Sequence, residues 1–392
     1  MRLRWLPIVV ATVLPLPGLV EACLPASVEP ALSWRGVAHF RNLADRIADD
    51  CPAAILLNPD GSIVPYSFIG TGIMSLHAAG DTDPALASTI RRAVVCAEAT
   101  HAPDVDLTQP QTFGEHNLYF SHLALLLGIE ETVAGSTDDV LHAAIVEHLR
   151  AESLADGDFH MNSFPGCCKW PADQSVTLDA LSLYDRLHHT SLSERPIRGW
   201  LDWMDDGLHV SAVTQSLWYH DLPRGCALSW TTFHMAQFAP TEGRRLYARY
   251  QQAFYVDVGG IGGFAEWPDA AWTPMDFDTG PIVFGVGAAA TGIGLGSARV
   301  YGDSRAWTGI LRSSLVFGLP WGVHSRDSLI SPLLADAILF HDAAAVPWFA
   351  PIAPIGGVPS APVTPVLFLT ADLAGLWVSG RRLLARCGTL PS

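Results

Sequence analysis

The chain is short of positive charge: 23 Lys and Arg stand against 39 Asp and Glu, a formal net charge of −16 over 392 residues. A surface so biased repels polyanions, which excludes nucleic acid as a partner. Long apolar runs are wanting too. The stretch at 7–20 is broken by Pro7, Pro15 and Pro17, too short and too interrupted to span a membrane. Alternation of the strand type is nearly absent, which argues against a sheet-based fold. A His-Glu-x-x-His motif is missing, and the adjacent His188 and His189 point to different faces of a helix, so no metal ligand set is expected. Beyond Cys23 there are Cys51, Cys96, Cys167, Cys168, Cys226 and Cys387, too few for a disulfide scaffold in a chain of this length. Cys51, Cys96 and Cys226 read as small buried side chains or as one bridge.

Three partial motifs fail for want of their context. Asp278-Thr-Gly280 matches an aspartic-protease triplet, but that chemistry needs a second carboxylate of the same kind. Asp276-Phe-Asp278-Thr-Gly280 opens like a calcium loop, yet its twelfth position is Gly287, where a bidentate acid belongs. Gly285-Val-Gly287 with Asp303 downstream resembles a dinucleotide fingerprint, which requires a parallel βαβ unit that nothing nearby supplies.

What is present begins with an export signature. Arg2 and Arg4 precede the apolar stretch, and Ala22 offers a small-residue cleavage site, so 1–22 reads as a signal peptide and the protein as periplasmic or secreted. Cys23 directly after Ala22 adds a lipid anchor as an option, against which Glu21 is unusual. Membrane contact is expected only through the signal or that anchor.

Helical periodicity recurs at 37–48, 67–79, 84–99, 117–127, 138–154, 175–188, 197–205, 228–238, 242–256, 282–301, 304–317, 328–341 and 367–384. The connections carry Pro, Gly or Asp, and no composition break divides the chain. Residues 23–392 are therefore expected to form one all-α domain, an (α/α)6 toroid. In such a barrel a pocket forms at the N-terminal ends of the inner helices, and 117–127, 175–188 and 282–298 are expected among them. The many glycines of 282–298 cost helix propensity that only close helix packing can offset. The Pro-rich stretch 350–365 reads as a linker or as a lead into a closing helix.

The loop after Met161 is expected to deliver Cys167, Cys168, Lys169 and Asp173 to one point at a helix start, where Asp173 also suits an N-cap. His122, with Leu118, Leu125 and Leu126 near it on the helical wheel, is expected on an apolar face and desolvated, whereas most other histidines read as solvated or helix-end residues. Glu266 beside Trp267, and Asp276 and Asp278 near Trp272, lie in loops where partial desolvation would raise a carboxyl pKa toward that of a useful acid.

At these residues the sequence resembles the linalool dehydratase-isomerase family of exported α/α-toroid enzymes. Asn117-Leu-Tyr119-Phe-Ser-His122 looks like the family segment whose histidine is catalytic. Leu183-Tyr-Asp-Arg-Leu-His188 with Trp200-Leu-Asp202 is similar to its most recognisable helical stretch, and Asp276-Phe-Asp278-Thr-Gly280 with the Gly/Ala segment to Asp303 matches a third block. The family has two cysteines ahead of the Tyr-Asp-Arg-Leu helix. Here Phe164 and Asp173 stand at those places without gaps, and Cys167 and Cys168 take them only with a shifted alignment. Trp230 stands where the family has a pocket tyrosine.

The resemblance implies a cofactor-independent hydro-lyase or isomerase acting on a small apolar alcohol of terpene type. His122 and Asp173 would be its acid/base pair, with Cys167, Cys168 and Asp278 as further catalytic candidates. Tyr119, Trp170, Trp230, Glu266, Trp267, Trp272 and Asp276 would line the substrate. Two other readings stand beside it: a carbohydrate-active toroid enzyme using carboxylates in a Trp-rich cleft, and an exported non-catalytic binding protein. A small-molecule substrate is the expected partner, and a homo-oligomer is open.

Overall fold

The computed structural model describes residues 16–23, 51, 59–155, 157–205, 223–268, 279–317 and 332–387. The helices are α1 (Leu16–Cys23), α2 (Val64–Ala78), α3 (Pro84–Glu98), α4 (Asn117–Ala134), α5 (Asp139–Ala155), α6 (Pro171–His188), α7 (Glu194–Asp205), α8 (Gly225–Phe238), α9 (Pro240–Phe254), α10 (Ala288–Val300), α11 (Ser304–Phe317), α12 (Pro332–Ala344) and α13 (Val363–Cys387). The expected helix at 37–48 lies outside the described residues. Among the described residues the fold is all-α apart from two small antiparallel hairpins, β1 (Tyr255–Val258) with β2 (Ile261–Phe264), and β3 (Ile282–Val283) with β4 (Val286–Gly287).

Prolines set several starts. Pro84, Pro171, Pro240 and Pro332 each open a helix, where a missing N–H costs nothing and φ is already helical. At α3 the Asp83 carboxylate also accepts from Ala85 N at 2.9 Å, a side-chain cap. The residue before Pro171, Trp170, is extended at φ −99°, ψ 116°, as the ring clash before proline requires. Trp170 is therefore the N-cap of α6 and Asp173 sits inside the first turn, which corrects the capping role expected of Asp173.

Two kinds of helix alternate. Val64–Ala78, Asn117–Ala134, Pro171–His188 and Gly225–Phe238 are buried nearly all round over most of their length, as helices walled on every side must be. By contrast α3, α5 and α9 bury one face each. Along the chain α2 packs against α4, α4 against α6, α6 against α8, α8 against α10, α10 against α12 and α12 against α2. One continuous apolar cluster runs through these helices.

The glycine-rich segment differs from expectation at its start. Residues 282–287 form the β3–β4 hairpin, turned at Phe284 and Gly285 with positive φ, and the helix begins only at Ala288. Beyond that point close packing does account for the glycines: a Cβ on Gly294 would strike the Phe264 ring, and one on Gly296 would strike Asp342 Oδ1. The helix expected at 242–256 likewise gives way to β1 at Tyr255.

The stretch at 345–362 is strapped to the body. Ile355 N donates to Tyr301 O at 2.8 Å, and Arg312 donates to Ser360 O at 2.6 Å, so it is no free linker. At the other end of the chain Ala22 is buried against Leu311, Leu315 and Ala343. Among the described residues no helix is long and apolar enough to cross a membrane.

Helix α8 starts where only glycine fits, because a Cβ on Gly225 would meet the backbone carbonyl of Ala265. Gly225→Ala should cost about 1–3 kcal/mol, the usual range for overpacking, whereas Gly157→Ala, with open space around it, should stay within about 0.5 kcal/mol of the parent. Urea melts of the two variants check this, and equal midpoints would contradict the close α8–β2 approach.

Candidate active site

His122 is buried in α4. Its Nδ1 lies 2.8 Å from Ser67 Oγ on α2, and its Nε2 has no hydrogen-bond partner among the described residues. The Trp230 ring of α8 stands edge-on to it at 5.5 Å, and Phe68 packs against Trp230 at 4.7 Å. Two of the residues expected at the site, His122 and Trp230, thus share one aromatic-walled place.

One turn further along α8, His234 Nδ1 lies 2.8 Å from Asp179 Oδ2 of α6. On the same side His341 of α12 joins the group, with Nδ1 at 2.7 Å from Thr71 Oγ1 and its ring edge-on to Phe233 at 4.2 Å and to Phe68 at 5.2 Å. Asp342 follows it in sequence and accepts from Gly296 N at 3.1 Å, an approach that the missing Cβ of Gly296 allows. Three imidazoles from α4, α8 and α12 are therefore gathered among Phe68, Trp230 and Phe233.

Electrostatically this interior favours neutral groups. Burial pushes His122, His234 and His341 down to about 3, because a low-dielectric surround opposes the imidazolium. The same burial raises the carboxyls of Asp179 and Asp342 well above their ordinary value. For the Asp179–His234 pair both trends agree: the proton rests on the carboxyl and the imidazole is neutral.

The other expected site residues are dispersed. Asp173 is buried in the first turn of α6, one turn ahead of Thr177, whose Oγ1 is 2.6 Å from Ser121 Oγ, the neighbour of His122. Cys167 and Cys168 are bonded to each other, as Cys51 is to Cys96. Neither therefore offers the thiol expected of it. Their loop closes on itself through Phe164 and Cys167, which exchange backbone hydrogen bonds, and Lys169 bonds Asp158 at 3.0 Å. The loop thus bonds within itself and to Asp158 as it approaches the start of α6, where Asp173 lies.

Tyr119 is fully buried but turned to α3, its hydroxyl donating to Ala97 O at 3.2 Å, so it faces away from the group expected to hold substrate. Trp170 packs on Phe164 at 5.0 Å. Glu266, expected partly desolvated beside Trp267, is held by Arg224 at 2.7 Å with both side chains fully buried, and the guanidinium lies over the Trp267 ring at 5.5 Å. This cluster ties β2 to the start of α8. Trp272, Asp276 and Asp278 lie outside the described residues.

The sequence reading missed Asp179, His234 and His341. His116, a helix-end residue as expected, is the N-cap of α4 and bonds Asp60 at 3.0 Å, while His142 and His160 are buried where solvated rings were expected. The signal that singled out His122, an imidazole inside an apolar helical stretch, was equally present in Trp230-Thr-Thr-Phe-His234 and in Leu339-Phe-His341. No protein-family model matches the chain, and no curated protein matches it.

Buried neutral imidazoles predict acid sensitivity. Burial also takes His142, His148 and His160 down to about 4 from an ordinary 6.5. Between those values the unfolded chain binds protons that the folded chain refuses, so stability falls as pH falls. The melting temperature should drop steadily from pH 6.5 toward pH 4. Calorimetry across that window checks it, and a flat profile would contradict the neutral interior.

Proposed function

We propose that the chain is an exported (α/α)6-toroid hydro-lyase or isomerase acting on a small, largely apolar allylic alcohol of terpene type, with acid/base chemistry from its own side chains. The cyclic run of contacts from α2 through α12 and back, together with the all-round burial of α2, α4, α6 and α8, supports the toroid. The resemblance to the linalool dehydratase-isomerase family supports the reaction class. One observation carries the chemistry: His122, edge-on to Trp230, with the His234–Asp179 hydrogen bond one turn deeper.

Dehydration of an allylic alcohol needs a proton for the departing hydroxyl, walls that tolerate allyl-cation character, and a base for a carbon-bound proton. Asp179, protonated through its burial, can pass its proton to Nδ1 of His234 as Nε2–H protonates the substrate hydroxyl. The C–O bond then breaks and water leaves. The cation faces Trp230, Phe68 and Phe233, whose π faces attract positive charge, with the new Asp179 carboxylate as counter-ion. In the tautomer whose Nδ1–H donates to Ser67, His122 Nε2 carries a lone pair that can accept the carbon-bound proton and complete the diene. Passage of that proton to Nε2 of His234, with the Nδ1–H going back to Asp179, resets the site. Capture of the cation by water at the far allylic carbon in place of deprotonation, with the released proton taking the same route, gives the isomer. Asp173, nearer the start of α6, is assigned to the mouth. An interior of imidazole and aromatic groups suits an apolar alcohol better than a sugar, so the carbohydrate reading gains no support here.

On linalool-like alcohols His122→Gln and Asp179→Asn should each cut turnover by roughly a hundredfold or more, the scale of lost general acid/base help. Asp173→Asn, run beside them with oligosaccharides as rival substrates, distinguishes the readings. Sugar hydrolysis by the parent would overturn the proposal, and full activity in both His122→Gln and Asp179→Asn would overturn the site. Export has its own check: protein from an exporting host should lack residues 1–22 by intact mass, whereas retention of an N-terminus before Cys23 would argue that α1 stays in the fold.

A further inference from the structure

Away from that interior, at the far end of α4, a second polar group is assembled from three helices. Glu131 of α4, His142 of α5 and His188 at the end of α6 point at one another. His188 Nε2 is 3.2 Å from Glu131 Oε2, and His142 Nδ1 is 3.6 Å from the same oxygen. All three donor atoms lie within 4.8 Å of one another. Nine residues separate Glu131 from His122 on the same helix, roughly 13 Å along its axis, so this group is not part of the site described above.

We propose that Glu131, His142 and His188 form a binding site for a divalent transition-metal ion, zinc foremost, that pins α4, α5 and α6 together. Two imidazoles and one carboxylate are a donor set that zinc accepts in four-coordinate sites with water as the remaining ligand. Bonds of about 2.0–2.1 Å in a tetrahedron put neighbouring donors about 3.3 Å apart, close to the two separations to Glu131. His142 supplies the independent observation. Its side chain is 2% exposed, its Nε2 has no hydrogen-bond partner among the described residues, and its Nδ1 stands too far from Glu131 for a hydrogen bond. The Nδ1–Oε2 separation is thus one that a shared ion spans better than a proton does.

The surroundings hold the rings for this task. Tyr184 packs on His188 at 4.0 Å and stands edge-on to His142 at 4.9 Å. Burial and the neighbouring His188 take His142 down to about 4, so it meets an ion unprotonated at neutral pH, as ligation requires. Glu131 and His188 keep side-chain exposures of 20% and 29%, enough for an ion to enter and for water to complete its shell.

The test uses full-length protein stripped with a chelator and dialysed. Titration with zinc chloride near pH 7, followed by calorimetry, should show saturable binding of one ion per chain with micromolar or tighter affinity and a raised melting temperature, since an ion that binds only the folded state stabilises it. Cobalt(II) should give the visible absorption of a four- or five-coordinate ion. His188→Ala and Glu131→Gln, both partly exposed and so tolerated by the fold, should weaken binding tenfold or more while melting like the parent in chelator. No saturable binding in the parent, or binding undiminished in both variants, would overturn the site.

Discussion

A polar side chain on a helix walled by other helices has only protein groups to bond, because water does not reach it. That constraint governs this fold. Ser121 meets Thr177, His122 meets Ser67, Thr71 meets His341, Asp179 meets His234 and Thr232 meets Ser297. Each bond crosses from one buried helix to the next and fixes their rotation and depth together. Apolar burial drives the helices into contact, but the cross-helix bonds decide which residues sit level with one another.

The same constraint creates the chemistry. A desolvated interior keeps imidazoles neutral and carboxyls protonated, so the groups best placed to move a proton are those that burial has stripped of charge. The buried Arg224–Glu266 pair does different work, since its 2.7 Å contact locks a hairpin to a helix start. Polar burial thus divides into a chemically poised group around His122 and a structural clamp at β2. A third group at Glu131 stands at the opposite end of α4.

Much of the architecture was legible. The periodic segments at 84–99, 138–154, 175–188 and 304–317 fall almost on observed helices, because each carries its own hydrophobic period and its own proline, glycine or aspartate punctuation. The errors lie where tertiary pairing overrides local pattern. Residues 282–287 look like the start of an apolar helix, yet they pair as a hairpin whose β4 bridges to Ala265. Tyr255 has a helical neighbourhood but is claimed by Phe264 across the strand pair.

The site was legible only in part. The amino-acid sequence by itself determined an acidic, all-helical protein with a histidine on an apolar stretch at position 122 and an aromatic at position 230, since composition and spacing are local properties. Only the tertiary structure decided that His234, Asp179 and His341 join them, that Cys167 and Cys168 bond each other, and that Tyr119 turns to α3. The reason is geometric: a helical wheel says that a side chain faces other helices, but which helix it faces, and at what depth, is set by packing contacts between residues 22 to 270 positions apart.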